Sequence, residues 1–336
     1  MKIAIKTTWI LGISFLFFSS CGRLILGADP EPTPMIVFDD LAYNIETRYS
    51  LFKDKGVDWQ AITTEYREKI NPDMGDDSLF QVLNAMLGEL KDGHVNLSYI
   101  KDRGRNWSWK LDYPENFNYS IVERNYLGRN HRITQSFENT IIDSIGYIYY
   151  GSFSKTIKKK ALNAMMDYMK DTKGLIIDIR NNGGGKLNNC GLLASYFTDT
   201  INDCMEFLYK SGPGPDDFDG PFAYEIKPSD TLNYTKPVVV LMNRSSFSGA
   251  TFFPAMMSTF PNVTLMGDTS GGGGGIPFSF ELPNGWVYRC SVSITTDCSG
   301  RNIEFGVPPD IKVDLDPKDE AKGIDTMIER ALAELR

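Results

Sequence analysis

"GLIIDIRNNGGGK", residues 174–186, decides the fold. A short unbroken apolar run is the mark of a strand buried on both faces. The asparagines and glycines after it force a tight turn, and a helical stretch follows from about Lys186. The pattern returns in "KPVVVLM" (236–242), which runs into "NRSSFSGATFF" (243–253) and more helix. "NVTLMG" (262–267) is a third such strand. Strand, turn, helix in repeated order predicts an α/β core.

Three amphipathic patterns precede that core. Leu41, Ile45 and Tyr49 recur at four-residue spacing, Trp59, Ile62 and Tyr66 follow the N-cap Asp58, and Leu79 to Leu90 form an apolar stripe. Together they predict a three-helix bundle over residues 35–92, with the remaining domain over 93–336. Its first part has the β-branched and aromatic texture of strands in "HVNLSYI" (94–100), "FNYSIVE" (117–123) and "SIGYIYYGSF" (144–153). Residues 155–170 read as helix, 211–236 as a long irregular insertion, and the chain closes on an amphipathic helix from about Pro317.

The extreme N-terminus reads as a targeting segment. Lys2 and Lys6 precede an apolar run from Trp9 to Phe18, too short to span a bilayer, so residues 1–20 are expected to be a secretory signal. Small residues before Cys21 resemble a bacterial lipoprotein cleavage site, which would make Cys21 a lipid anchor on a proline-rich tether over 21–34. The expected location is the bacterial cell envelope, with the membrane met only through that anchor.

The other cysteines, Cys190, Cys204, Cys290 and Cys298, allow three disulfide pairings in an exported protein, among them a Cys290–Cys298 bridge across a hairpin. A formal charge of −8 over 336 residues argues against non-specific nucleic-acid binding. No spacing fits a zinc site, the glycine loop fits neither a Walker nor a dinucleotide pattern, and no cofactor or metal is expected.

"NRSSFSGA" raises the question of chemistry. A serine hydroxyl is a weak nucleophile that needs a base in reach and donors where an oxyanion forms. His94 in "LKDGHVNL" (90–97), at a helix-to-strand junction, and His131 in "GRNHRIT" are the two histidines. The glycines at 183–185 leave backbone N–H groups uncovered before a helix.

In order along the chain, "LKDGHVNL", "GLIIDIRNNGGG" (174–185), "PVVVLMNRSSFSGAT" (237–251), "LMGDTSGGGGG" (265–275) and "GRNIEFGVPPDIKVD" (300–314) resemble the serine peptidases of the C-terminal processing and tricorn type, in the tricorn-like branch. The resemblance implies a Clp protease/crotonase-like core and a peptide or protein substrate. It makes Ser248 the nucleophile, His94 the general base, Glu304 its acidic support, and Gly184 and Gly249 the oxyanion-hole donors. Three departures stand out. Gly273 occupies the place of the lysine of a Ser–Lys dyad, Gly93 that of a serine preceding the histidine, and Gly249 that of an acidic residue after the nucleophile. About fifty residues separate His94 from the next core strand, too few for a PDZ domain. A non-catalytic ligand- or peptide-binding protein on the same scaffold, and an esterase, are the alternatives left open; the oligomeric state is not legible.

Overall fold

The computed structural model describes residues 32–105, 107 and 112–336. The targeting segment and Cys21 lie outside the described residues. In chain order the strands are β1 (Asn96–Ser98), β2 (Arg132–Thr134), β3 (Phe137–Ile142), β4 (Ile145–Tyr150), β5 (Gly174–Asp178), β6 (Asn202–Lys210), β7 (Phe218–Ile226), β8 (Val238–Met242), β9 (Val263–Gly267), β10 (Pro277–Glu281), β11 (Val287–Ser291), β12 (Ser293–Asp297) and β13 (Ile311–Lys312). The principal helices are α1 (Pro34–Arg48), α2 (Phe52–Lys55), α3 (Trp59–Arg67), α4 (Asp76–Gly88), α5 (Lys159–Met169), α6 (Leu187–Ala194), α7 (Gly249–Met257) and α8 (Thr326–Leu335).

The large sheet runs β13-β9-β8-β5-β4-β3-β2. β4, β5, β8, β9 and β13 are mutually parallel, and β3 and β2 add an antiparallel edge. Alternation along the strands resolves the apolar runs into two faces. Leu175, Ile177, Val238 and Val240 pack with Leu162, Met166, Leu193 and Phe253 of the helices on one face. Ile176, Val239 and Leu241 pack with Met327, Ile328 and Leu332 of α8 on the other. Two three-stranded antiparallel sheets, β1-β11-β10 and β12-β6-β7, complete the fold.

The N-terminal helices do not enclose a core of their own. Phe38, Leu41, Leu83 and Leu87 share one apolar cluster with Leu97, Trp286, Tyr288 and Cys290 of the β1-β11-β10 sheet. Four helices rather than three occupy this region, since the short α2 intervenes before Gly56 turns the chain at φ +63°.

Local chemistry overrides the sequence reading in four places. "FNYSIVE" is helical: the Asn118 side chain caps Tyr119–Ile121 by accepting from Ile121 N, and Val122 and Leu127 bury against α8. The 211–236 segment contains β7, whose run is interrupted by Gly220 and Pro221 and packs on the core only through Tyr224 and Ile226. The closing helix is two, Pro317–Glu320 and α8, parted at Gly323 with φ +77°. All four described cysteines are free thiols; Cys290 is buried under the N-terminal helices, and Cys298 lies beyond β12 in a different sheet.

A buried charge cluster fastens α8 to the end of β5. The Arg180 guanidinium, fully excluded from solvent, donates to Asp178 from Nε (2.9 Å) and to Asp325 from Nη1 (2.9 and 3.0 Å). The Tyr147 hydroxyl donates to Asp178 at 2.7 Å, and Asp325 also caps α8 by accepting from Met327 and Ile328 N. Arg180→Ala strands two carboxylates out of water, so it should cost about 3–5 kcal/mol. Urea unfolding checks this; a loss under about 1 kcal/mol would mean that water or protonation compensates the acids.

Candidate active site

The parallel pairing of β5 with β8 brings two strand-to-helix turns to the same sheet edge. In the first, Asn182 donates from its side chain to Tyr150 O at 2.7 Å, and its Oδ1 accepts from Gly184 N at 2.8 Å. In the second, Ser246 is buried; its hydroxyl donates to Ile179 O at 2.8 Å and accepts from Asn243 N at 3.1 Å. Ser245 meets the Tyr113 hydroxyl at 3.2 Å. These two serines hold the turn.

Ser248 differs from both. It occupies the N-cap position of α7 with φ +56° and ψ −121°, and its side chain caps nothing. Backbone strain of this kind in a non-glycine residue costs about 1–3 kcal/mol and persists where the surroundings over-determine it. Here Ser248 N donates to Gly272 O at 2.8 Å, and Phe247 N to Asn182 O at 3.0 Å. The hydroxyl is left half-buried, 2.9 Å from His94 Nε2.

His94 arrives from the other side of the cleft, where α4 gives way to β1, and is 3% exposed. Asp92 shapes its turn: Oδ1 accepts from His94 N at 2.8 Å and Oδ2 from the Ser291 hydroxyl at 2.8 Å. Lys55 donates to Lys91 O at 3.0 Å and forms an ion pair with Glu304 at 2.8 Å, both side chains largely buried. Glu304 Oε2 also accepts from Gly275 N at 3.2 Å. Asp92, Lys55 and Asn182 were missed as site residues; Asp92 stood inside the quoted "LKDGH", whereas Lys55 lay in a stretch with no motif. His131 sits elsewhere, against Gly128 O at 2.7 Å.

Gly184 was expected to offer a free N–H, but that donor is engaged by Asn182. Among the described residues, no hydrogen bond is recorded from the N–H groups of Gly185 and Gly249, and they adjoin: a Cβ built on Gly249 would stand 2.9 Å from Gly185 N. The glycines at 93 and 273 both lie against Phe247, and Gly273 also has φ +77°. A Cβ at Gly93 would fall 2.4 Å from the Trp107 ring and 2.9 Å from Phe247 Cζ, and one at Gly273 would fall 2.4 Å from Phe247 Cζ. The cleft around these groups has a volume of ≈ 820 Å³. Among the described residues no group of three His, Cys, Asp or Glu side chains is placed to hold a metal ion.

A mixed sheet whose parallel strands end in glycine turns, with a serine hydroxyl and an imidazole in contact above them, defines an α/β protein with a serine–histidine pair at the ends of its strands. Comparison with known proteins gives the particular family. Peptidase family S41 matches residues 144–313, half of the chain, and the Tricorn protease C1 domain matches residues 30–88. The chain belongs to peptidase family S41. It is 29% identical over 175 residues to the carboxy-terminal processing protease CtpA of Bacillus subtilis (strain 168), a match covering 52% of this chain and 36% of that one. The chain thus spans about a third of that relative's length. A crystal structure of a candidate peptidase from Parabacteroides merdae ATCC 43184 superposes with TM-score 0.85 at 39% identity, covering 91% of this chain and 97% of that one. Mature CPAF bound to lactacystin shares the fold, with TM-score 0.69 at 13% identity over 90% of this chain and 98% of that one.

Burial, then Asp92, raises the Glu304 carboxyl from its ordinary 4.5 to about 7, outweighing Lys55 and Gly275 N, which act the other way. A carboxyl whose folded pKa exceeds its unfolded one binds more protons when folded, so its contribution to stability falls as pH rises from about 4.5 to about 7. The stability difference between wild type and Glu304→Gln should therefore shift against wild type across that window. Thermal or urea melts at several pH values check it; a wild-type advantage that grows from pH 4.5 to 7 would show Lys55 holding the carboxylate ionised.

Proposed function

We propose that this chain hydrolyses peptide bonds through an acyl-enzyme on Ser248, with His94 as general base. The 2.9 Å contact between His94 Nε2 and Ser248 Oγ, made across 154 residues of sequence, carries the reading. With Nε2 unprotonated, the imidazole takes the hydroxyl proton as Oγ attacks the substrate carbonyl. The N–H groups of Gly249 and Gly185 are the donors we assign to the developing oxyanion, with the start of α7 adding positive potential. Collapse returns the proton to the leaving amine and leaves the acyl-enzyme. Water activated by His94 then releases the second product. Glu304 acts as a positioning residue: its ion pair with Lys55, which also donates to Lys91 O, tethers the turn that presents His94. Asp92 fixes the same turn from inside.

A fluorophosphonate probe should form one adduct on Ser248, read by intact mass and peptide mapping, and lose it in Ser248→Ala and His94→Ala. Peptide cleavage by Ser248→Ala should fall by about 10⁴-fold or more. An inert serine in well-folded protein from pH 6 to 9 would sink the peptidase reading in favour of ligand binding on the same scaffold.

We infer in addition that the protein is exported and held to a membrane by lipid on Cys21. The lysines before the Trp9–Phe18 run and the small residues before Cys21 support this. Chain recovered from cell membranes should lack residues 1–20 and carry acyl mass on Cys21; an unmodified or uncleaved N-terminus would overturn it.

A further inference from the structure

Two of the free thiols stand at the end of one antiparallel ladder. β12 pairs with β6 from Ser293 opposite Tyr209 to Asp297 opposite Met205. One further step in that register sets Cys298 opposite Cys204. Residues directly opposite each other in an antiparallel pair have Cα atoms about 4.5–5.5 Å apart, inside the span of about 4.4–6.8 Å that disulfides bridge. The side chains agree with the register. The Cys298 thiol donates to Asp203 O at 2.7 Å, the carbonyl joined to the Cys204 amide. The Cys204 thiol donates to Tyr224 O at 3.1 Å. A bond between the two sulfurs gives up these two weak S–H contacts and no strong hydrogen bond.

The other two thiols are placed elsewhere. Cys190, on α6, donates to Gly249 O at 3.2 Å, and Cys290, on β11, is buried in the cluster of the N-terminal helices. Burial, then the neighbouring Cys298, pushes the Cys204 thiol up to about 12. Burial, then Asp297 and Asp203, pushes the Cys298 thiol up as well. The thiolate is the form that attacks a substrate or binds a metal, and this site disfavours it. A disulfide carries no charge and meets no such penalty.

We propose that Cys204 and Cys298 form a disulfide in the mature protein, and that it fastens the turn leading to Glu304 onto β6. The inference rests on the export reading for its oxidising compartment. The exposed Cys298 reacts first: its sulfur, having lost a proton, attacks an external disulfide and expels one thiol. Cys204 then loses its proton, attacks the Cys298 sulfur of the mixed disulfide and expels the second thiol. The two cysteines are oxidised, and the external disulfide is reduced to two thiols that carry away both protons. The turn that gains the anchor is otherwise held by neutral and carboxylate side chains. Asp297 Oδ1 accepts from Ser299 and Arg301 N, and Asn302 accepts from Glu304 N while donating to Asp54 at 2.8 Å. The bond closes residues 204–298 into one loop that contains Ser248, and closing a long loop takes the most entropy from the unfolded chain.

Glutathione disulfide serves as the probe. The reduced protein, freed of reductant, is held in it, remaining thiols are alkylated, and peptides are mapped without reduction. The expected product is one linked pair of peptides joining Cys204 to Cys298, with Cys190 and Cys290 alkylated only after unfolding. The thermal midpoint of the oxidised protein should exceed that of the reduced one by about 5 °C or more. Cys298→Ser, a surface substitution, should abolish the rise. A glutathione adduct left on Cys298 beside an unlinked Cys204, or a bond through Cys190 or Cys290, would overturn the inference. Acid quenching and alkylation of cells then reads the native state. The same linked pair on chain cleaved before Cys21 bears the proposal out, and free thiols on cleaved chain overturn it. Free thiols on uncleaved chain, with the pair linking in glutathione disulfide, would sink the export reading and the native bond while leaving the pairing of the two cysteines standing.

Discussion

Two turns of bare backbone pressed against each other are the constraint on which the rest of this site depends. A Cβ on Gly184 would stand 2.4 Å from Phe247 O and 2.6 Å from Gly249 N. On Gly185 it would stand 2.2 Å from the Phe153 carbonyl carbon, and on Gly249 2.9 Å from Gly185 N. No side chain fits between these turns, so their amide groups face each other across a gap that only glycine permits. The adjacency of β5 and β8 in the parallel sheet places both turns at one edge. Asn182, Asn243 and Ser246 then hold them there through buried hydrogen bonds. Ser248 keeps its left-handed backbone because every neighbour of that strained residue is already fixed.

The histidine depends on a different layer. His94 belongs to the junction between the N-terminal helices and the β1-β11-β10 sheet, whose shared apolar cluster includes Leu90, Val95 and Leu97. Its alignment with Ser248 therefore rests on docking between two bodies of structure. The polar links at that boundary are buried: Asp92 to Ser291, Ser50 to the carbonyls of Ser291 and Ser293, and Lys55 to Glu304. A buried polar network of this kind is worth little to stability if half satisfied, and it fixes one register when complete. Its role here is geometric. It holds an imidazole against a hydroxyl that is anchored elsewhere.

The parts of this arrangement that were legible from sequence are those written in local pattern. Gly174–Asp178 and Val238–Met242 announce buried strands by composition, Asp58 announces a helix start, and the glycine and serine turns stand out as punctuation. Their partnership was not legible in the residues themselves; it came through a resemblance in the order of motifs. What stayed hidden depends on tertiary context. Lys55 sits on a four-residue helix whose sequence reads as solvated charge, yet its ammonium is buried against Glu304. The Gly184 donor was misassigned because sequence cannot reveal that the Asn182 side chain folds back to occupy it. β7 escaped because Gly220 and Pro221 interrupt it and only Tyr224 and Ile226 at its end pack on the core.

One aromatic side chain links two departures that sequence presents as unrelated. Phe247 lies 4.9 Å from the His94 ring and 5.0 Å from the Trp107 ring, centre to centre. The Phe247 ring stands where a side chain at position 93 or 273 would go, and the Trp107 ring crowds position 93 as well. A side chain at 93 requires Trp107 and Phe247 to shift, and one at 273 must also adopt φ +77°, which favours glycine. The Phe247 ring packs against the His94 ring, which is almost wholly withdrawn from water.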